Sequence, residues 1–148
     1  MAVALLDDNV LVALFRAEHV NHEVAHDWFR EFGQSGWASC PLTENGMLRI
    51  LSRPSDVDAR VPLPELIGLL NRFRENTRHE FWSDDISLRD SGWFDPSKIR
   101  GHRQLTDVYL LGLAVKNGGQ FVTLDSGISL AAVKGARKEH LQVLAPAE

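Results

Sequence analysis

An apolar run near the start of the chain, Val3 to Leu6, stops abruptly at Asp7-Asp8-Asn9, and hydrophobic residues resume at Val10. A short buried strand running straight into a helix has this pattern, with Asn9 as the helix cap and Val10 to Arg16 as the helix. Asp7 then falls at the carboxyl end of the strand. Open parallel sheets bind their ligands at that end.

The alternation repeats along the chain. A helix is expected over His22 to Phe32, with Ala25, Trp28, Phe29 and Phe32 on one face, and a strand over Trp37 to Cys40. Thr43 is the expected cap of a helix running to about Leu51, ended by Ser52-Arg53-Pro54 and followed by a polar loop to Arg60. Pro62 and Pro64 introduce a helix through Arg74, and Glu80 to Trp82 reads as a third strand. An irregular segment, Ser83 to Arg103, precedes a strongly patterned helix from Asp107 to Lys116, capped by Thr106. Gln120 to Leu124 is a clear strand, a short helix spans about Ser129 to Val133, and a last strand lies near Leu141 to Leu144. These elements predict one α/β domain over residues 1–148, with a central parallel sheet of four to five strands and helices on both faces.

Composition narrows the function. A single cysteine, Cys40, excludes an intramolecular disulfide and a multi-cysteine zinc site. The net charge of −4 argues against a simple basic nucleic-acid wrapper, although a nucleic-acid enzyme remains open because basic patches coexist with acidic sites. The chain shows no signal peptide and no apolar run of membrane-spanning length, so the expected location is cytoplasmic, with no membrane partner.

Three further acids share the setting of Asp7. Asp125 ends the strand Val122-Thr123-Leu124, while Glu44 and Asp107 each follow a threonine in a helix's first turn. Glu44 begins a stripe with Met47, Leu48 and Leu51, and Asp107 begins one with Leu110, Leu111 and Ala114, so both acids start apolar faces. Desolvated carboxylates gathered together repel, and a hard dication relieves that conflict. Asp7, Glu44, Asp107 and Asp125 are therefore expected to form one metal site suited to Mg2+ or Mn2+. Thr123 would share a strand face with Asp125, and Thr123 and Asn9 are the expected supporting residues. Asp8 should point away from Asp7 if the strand persists through it.

Leu5-Leu6-Asp7-Asp8-Asn9-Val10-Leu11, Leu42-Thr43-Glu44-Asn45-Gly46, Gly101 to Leu111 and Val122-Thr123-Leu124-Asp125 resemble, in order, the motifs of PIN-domain ribonucleases, and more closely the VapC-type toxins of toxin–antitoxin pairs. The resemblance implies a PIN fold and RNA hydrolysis dependent on magnesium or manganese. It also implies a homodimer and a VapB-type antitoxin whose C-terminal segment lies along the toxin groove. Carried over by position, the catalytic and metal-binding acids are Asp7, Glu44, Asp107 and Asp125. Asp8 departs from the small or neutral residue common in the family, and Gly127 stands where some relatives hold another acid.

Other readings compete. His22-Glu23-Val24-Ala25-His26 is a literal H-E-x-x-H and admits a zinc hydrolase using His22, Glu23 and His26. That reading leaves Asp7, Asp107 and Asp125 unexplained. A phosphoacceptor receiver domain would need a lysine just after Leu144, and none is there. A catalytically inactive PIN-fold RNA-binding module is the remaining alternative. Lys98-Ile99-Arg100-Gly101-His102-Arg103 leads into the Asp107 helix and carries no acid, so Lys98, Arg100 and Arg103 are the expected RNA contacts.

Overall fold

A computed structural model describes residues 2–53, 58 and 60–145. Five short strands, β1 (Ala4–Leu6), β2 (Trp37–Ser39), β3 (His79–Phe81), β4 (Gln120–Thr123) and β5 (Leu141–Val143), form one sheet in the order β3-β2-β1-β4-β5. Every pairing is parallel; Leu5 lies opposite Ala38 on one side and Phe121 on the other. The chain builds outward from β1 to β3, then crosses back to place β4 on the other side of β1. The crevice between β1 and β4 is thus the point where strand order reverses, and it is there that such sheets take ligands.

The three central strands, β1, β2 and β4, are buried on both faces. Ala4, Leu6, Trp37 and Val122 point to one face, where they pack with α1 (Asp8–Phe15), α2 (His22–Glu31), α3 (Pro41–Ser52) and α4 (Leu63–Glu75). Leu5, Ala38 and Phe121 point to the other and meet α5 (Leu105–Lys116). The period-two alternation of the strands makes this division. Burying one such large apolar side chain contributes roughly 1.5–3 kcal/mol, more than a net hydrogen bond of the ladder at about 1 kcal/mol.

The irregular segment between β3 and α5 serves as part of the second face's cover. Within it stand only two short 3-10 turns, Pro96–Lys98 and His102–Gln104. Phe94 is fully buried and forms an isolated antiparallel bridge with Val133. A Cβ on Gly112 would lie 2.4 Å from the Phe94 ring, so α5 admits that ring only because residue 112 has no side chain.

Three helix starts differ from those expected. Asp7, not Asn9, caps α1, since its Oδ1 accepts from the Asp8 N–H at 2.8 Å. Cys40 precedes α3 and Pro41 opens it; Thr43 lies in the first turn, its hydroxyl accepting from the Cys40 N–H at 3.1 Å. Thr106 lies inside the first turn of α5, which begins at Leu105. In each case the polar residue read as a cap sits one to three positions inside, because helix ends are shared among several hydrogen-bonding neighbours. Most of the polar loop expected from Pro54 to Arg60 lies outside the described residues.

Candidate active site

The end of β1, the start of α5 and the end of β4 bring Asp7, Asp107 and Asp125 together. One carboxylate oxygen from each lies within 4.8 Å of the others. They line a cavity of about 460 Å³ with Asp8, Asn45, Gly46, Arg49 and Arg103. Asp7 is buried and Asp107 half-buried.

Asp7 is held from two sides. Its Oδ1 caps α1, and its Oδ2 accepts the Thr123 hydroxyl at 2.6 Å. Thr123 Oγ1 in turn accepts from the Asp125 N–H at 3.0 Å and from the Asn9 side-chain amide at 3.4 Å. Asn9 Oδ1 accepts from the Leu124 N–H at 3.2 Å, so one asparagine ties α1 to the end of β4. Thr123 and Asn9 therefore fix the separation between Asp7 and Asp125.

Burial pushes the Asp7 carboxyl up to about 8, with Asp8 and Asp107 adding to the rise and the Thr123 hydroxyl opposing it. Burial, then the charge and hydrogen bonding of Asp125, push Asp107 up to about 7. The cluster thus retains protons near neutrality that isolated carboxyls lose near pH 4. Crowded oxygen ligands whose charges conflict form a donor set suited to a hard divalent cation, and no sulfur or imidazole stands among them.

Glu44 does not join the group. Its carboxylate accepts the Ser39 hydroxyl at 2.5 Å and lies 3.9 Å from the Arg74 guanidinium. Arg74 Nε donates to His79 Nδ1 at 3.2 Å, which leaves the proton on Nε2 to donate to Ser39 Oγ at 2.8 Å. A ring of contacts through Arg74, His79, Ser39 and Glu44 thus holds α3, α4, β2 and β3 together. Burial and the nearby guanidinium hold the His79 imidazole down at about 4. Three of the four expected acids share one space here, while Glu44 is engaged by Ser39 and Arg74.

Asp8 is the acid whose placement sequence reasoning missed. The strand does not persist through it; α1 begins there, and its carboxylate turns into the same cavity against α3. A Cβ on Gly46 would lie 2.3 Å from Asp8 Oδ2, so the bare backbone of Gly46 makes room for that side chain. The Asn-Gly pair after Glu44 was the available signal.

Of the predicted RNA contacts, Arg103 lines the cavity, while Lys98 and Arg100 are exposed outside it. Arg49, on α3, also lines the cavity and was missed. None of the ion pairs among the described residues involves Arg49, Arg100 or Arg103. The H-E-x-x-H motif forms no metal site among the described residues: His22 Nδ1 is bonded to the Ala13 carbonyl at 2.7 Å. Its ring instead neighbours that of His26, at a centroid distance of 5.6 Å.

The sequence matches the PIN domain family over residues 4–134. The chain belongs to that family. Within it, the chain resembles, over most of their length, several VapC proteins of Mycobacterium tuberculosis. Ribonuclease VapC44 is 45% identical over 141 residues, covering 95% of this chain and 99% of the relative. Ribonuclease VapC39 is 38% identical over 132 residues, covering 89% and 95%. Ribonuclease VapC38 is 39% identical over 126 residues, covering 85% and 87%. No described helix is long and apolar enough to cross a membrane.

Proposed function

We propose that this chain is a divalent-cation-dependent endoribonuclease of the VapC toxin type. The observation that carries the reading is the convergence of Asp7, Asp107 and Asp125 from three elements onto a space within 4.8 Å. The names of the relatives supply the substrate class, and the family resemblance supplies the toxin role.

Asp7, Asp107 and Asp125 would hold the cation, Mg2+ or Mn2+, with Asp8 beside them contributing negative charge. Once bound, such a cation acidifies a water and stabilises charge on the phosphate oxygens. The chain's own residues supply position. Thr123 and Asn9 keep Asp7 and Asp125 at fixed separation, as outer hydrogen bonds do around metal ligands. Arg49 and Arg103 line the cavity and would clamp phosphate oxygens through paired N–H donors. Lys98 and Arg100 would meet phosphates further along the strand. Attack by water rather than the ribose hydroxyl leaves a 5′-phosphate and a 3′-hydroxyl.

A VapB-type antitoxin is the proposed partner, and a homodimer the proposed assembly; the family resemblance supports both. Purified protein should cleave RNA with Mg2+ or Mn2+ and stop when EDTA is added. Activity indifferent to chelation would refute the reading. Induced expression should arrest growth, and co-expression of an adjacent small gene's product should relieve it.

A further inference from the structure

A second hollow of about 460 Å³ opens beside the carboxylate cavity, and the two share Leu42 and Thr106 as a common rim. Ile86, Leu88 and Leu105 supply apolar wall, and Asp84 and Tyr109 supply polar groups. The volume falls within the roughly 300–1,000 Å³ of ligand clefts. Both polar groups are anchored. The Asp84 carboxylate accepts from the Leu42 N–H at 3.1 Å, on the rim itself. The Tyr109 ring stacks at 18° on buried Phe94, with centroids 6.2 Å apart.

We propose that this hollow is the subsite for one nucleobase adjoining the scissile phosphate, and that the base it takes is guanine. The inference rests on the ribonuclease reading of the neighbouring site. A phosphate held among the carboxylates and Arg103 leaves an adjoining base within reach of the shared rim. Apolar walls and an anchored aromatic ring suit a flat base lifted out of its stack. An ionised carboxylate accepts hydrogen bonds and donates none. Guanine alone among the four RNA bases presents two adjacent N–H groups, N1–H and N2–H, on one edge. Adenine and cytosine set an acceptor beside their amino group, and uracil offers a single N–H between two carbonyls. Asp84 keeps acceptor capacity beyond its bond to Leu42, since a carboxylate has about four lone-pair sites.

The test uses the full chain with Mg2+ and total cellular RNA, with the new ends sequenced. Guanine should occupy one fixed position adjoining the cut. An oligonucleotide carrying the mapped site should lose about tenfold in kcat/KM when that guanosine becomes inosine, which lacks the N2 amino group. In Asp84→Asn, whose fold is checked by circular dichroism, the same exchange should change kcat/KM by less than about twofold, because the amide no longer matches both donors. Cleavage with no guanine preference, or an unchanged inosine effect in Asp84→Asn, overturns the subsite and leaves the ribonuclease reading standing. An absence of any metal-dependent cleavage overturns both. If Leu105→Lys dissociates a dimer while the cleavage pattern stays the same, the hollow belongs to a second copy of the chain and the proposal fails.

Discussion

Asp7 caps α1 with one oxygen and takes the Thr123 hydroxyl on the other, so its position is fixed before any cation arrives. Asp7→Asn keeps an oxygen for the cap but removes a charge that burial disfavours. RNA cleavage should fall at least a hundredfold, roughly the upper loss seen when only an outer partner of a ligand is removed. Above pH 8, where Asp7 is ionised, the cation-free variant should melt about 3–6 °C higher than the native protein, as read by calorimetry, through relief of carboxylate repulsion. A folded Asp7→Asn protein with full activity would sink the mechanism. Gly46→Ala tests Asp8 without touching a carboxylate. Its new methyl would displace the Asp8 side chain, and we expect Mg2+ affinity to drop about tenfold in titration calorimetry. At this scale the sequence was partly legible. Asp7, Asp107 and Asp125 stood out because each adjoins an apolar run, a local property. The engagement of Glu44 by Ser39 and Arg74 was not legible, because Arg74 reaches it only through the fold.

At the scale of elements, periodicity revealed nearly every helix and strand, but not what each end does. The rotation of about 100° per helical residue explains Asp8. Starting α1 two residues earlier than expected turns that side chain from the far side into the cavity. Ser83 to Arg103 read correctly as irregular, yet its packing role was hidden, since isolated apolar residues such as Phe94 carry no period. Gly112→Ala should show that role: a methyl against the Phe94 ring should cost about 1–3 kcal/mol in urea unfolding. α3 and the turn before α5 bring Arg49 and Arg103 to the cavity. Replacing both with alanine should reduce the slope of log affinity for single-stranded RNA against log salt by about 1.4, or about 0.7 for each lost phosphate contact. Mg2+ binding should persist. An unchanged slope would send the RNA across another face.

For the whole molecule, the carboxylate cluster links stability to pH. Asp7 and Asp107 hold protons more tightly when folded, at about 8 and about 7 against a usual value of 3.8. The folded state therefore binds more protons than the unfolded one between about pH 4 and 8, and stability without cation falls as pH rises through that window. His79 opposes this, being held at about 4 against 6.5. Its contribution is full above pH 6.5 and fades as pH drops toward 4. Two acids outweigh one imidazole, so the melting temperature without cation should fall by at least about 5 °C between pH 5.5 and 8.5. Saturating Mg2+ should flatten or reverse that trend, because the ionised acids then have a partner. A melting temperature that rises with pH in EDTA would contradict the burial of the cluster.

The return of the chain from β3 to the far side of β1 also sets a timetable. The amino-terminal half carries Asp7 and the helices that cover one face, but Asp107 and Asp125 arrive only with α5 and the end of β4. During synthesis, a ribosome must release β4 and the acid after it before the first strand gains its second neighbour and the site can close. A nascent chain that has not yet released β4 therefore holds an unfinished site. Its closure is also the earliest moment at which a partner recognising the finished groove has anything to bind.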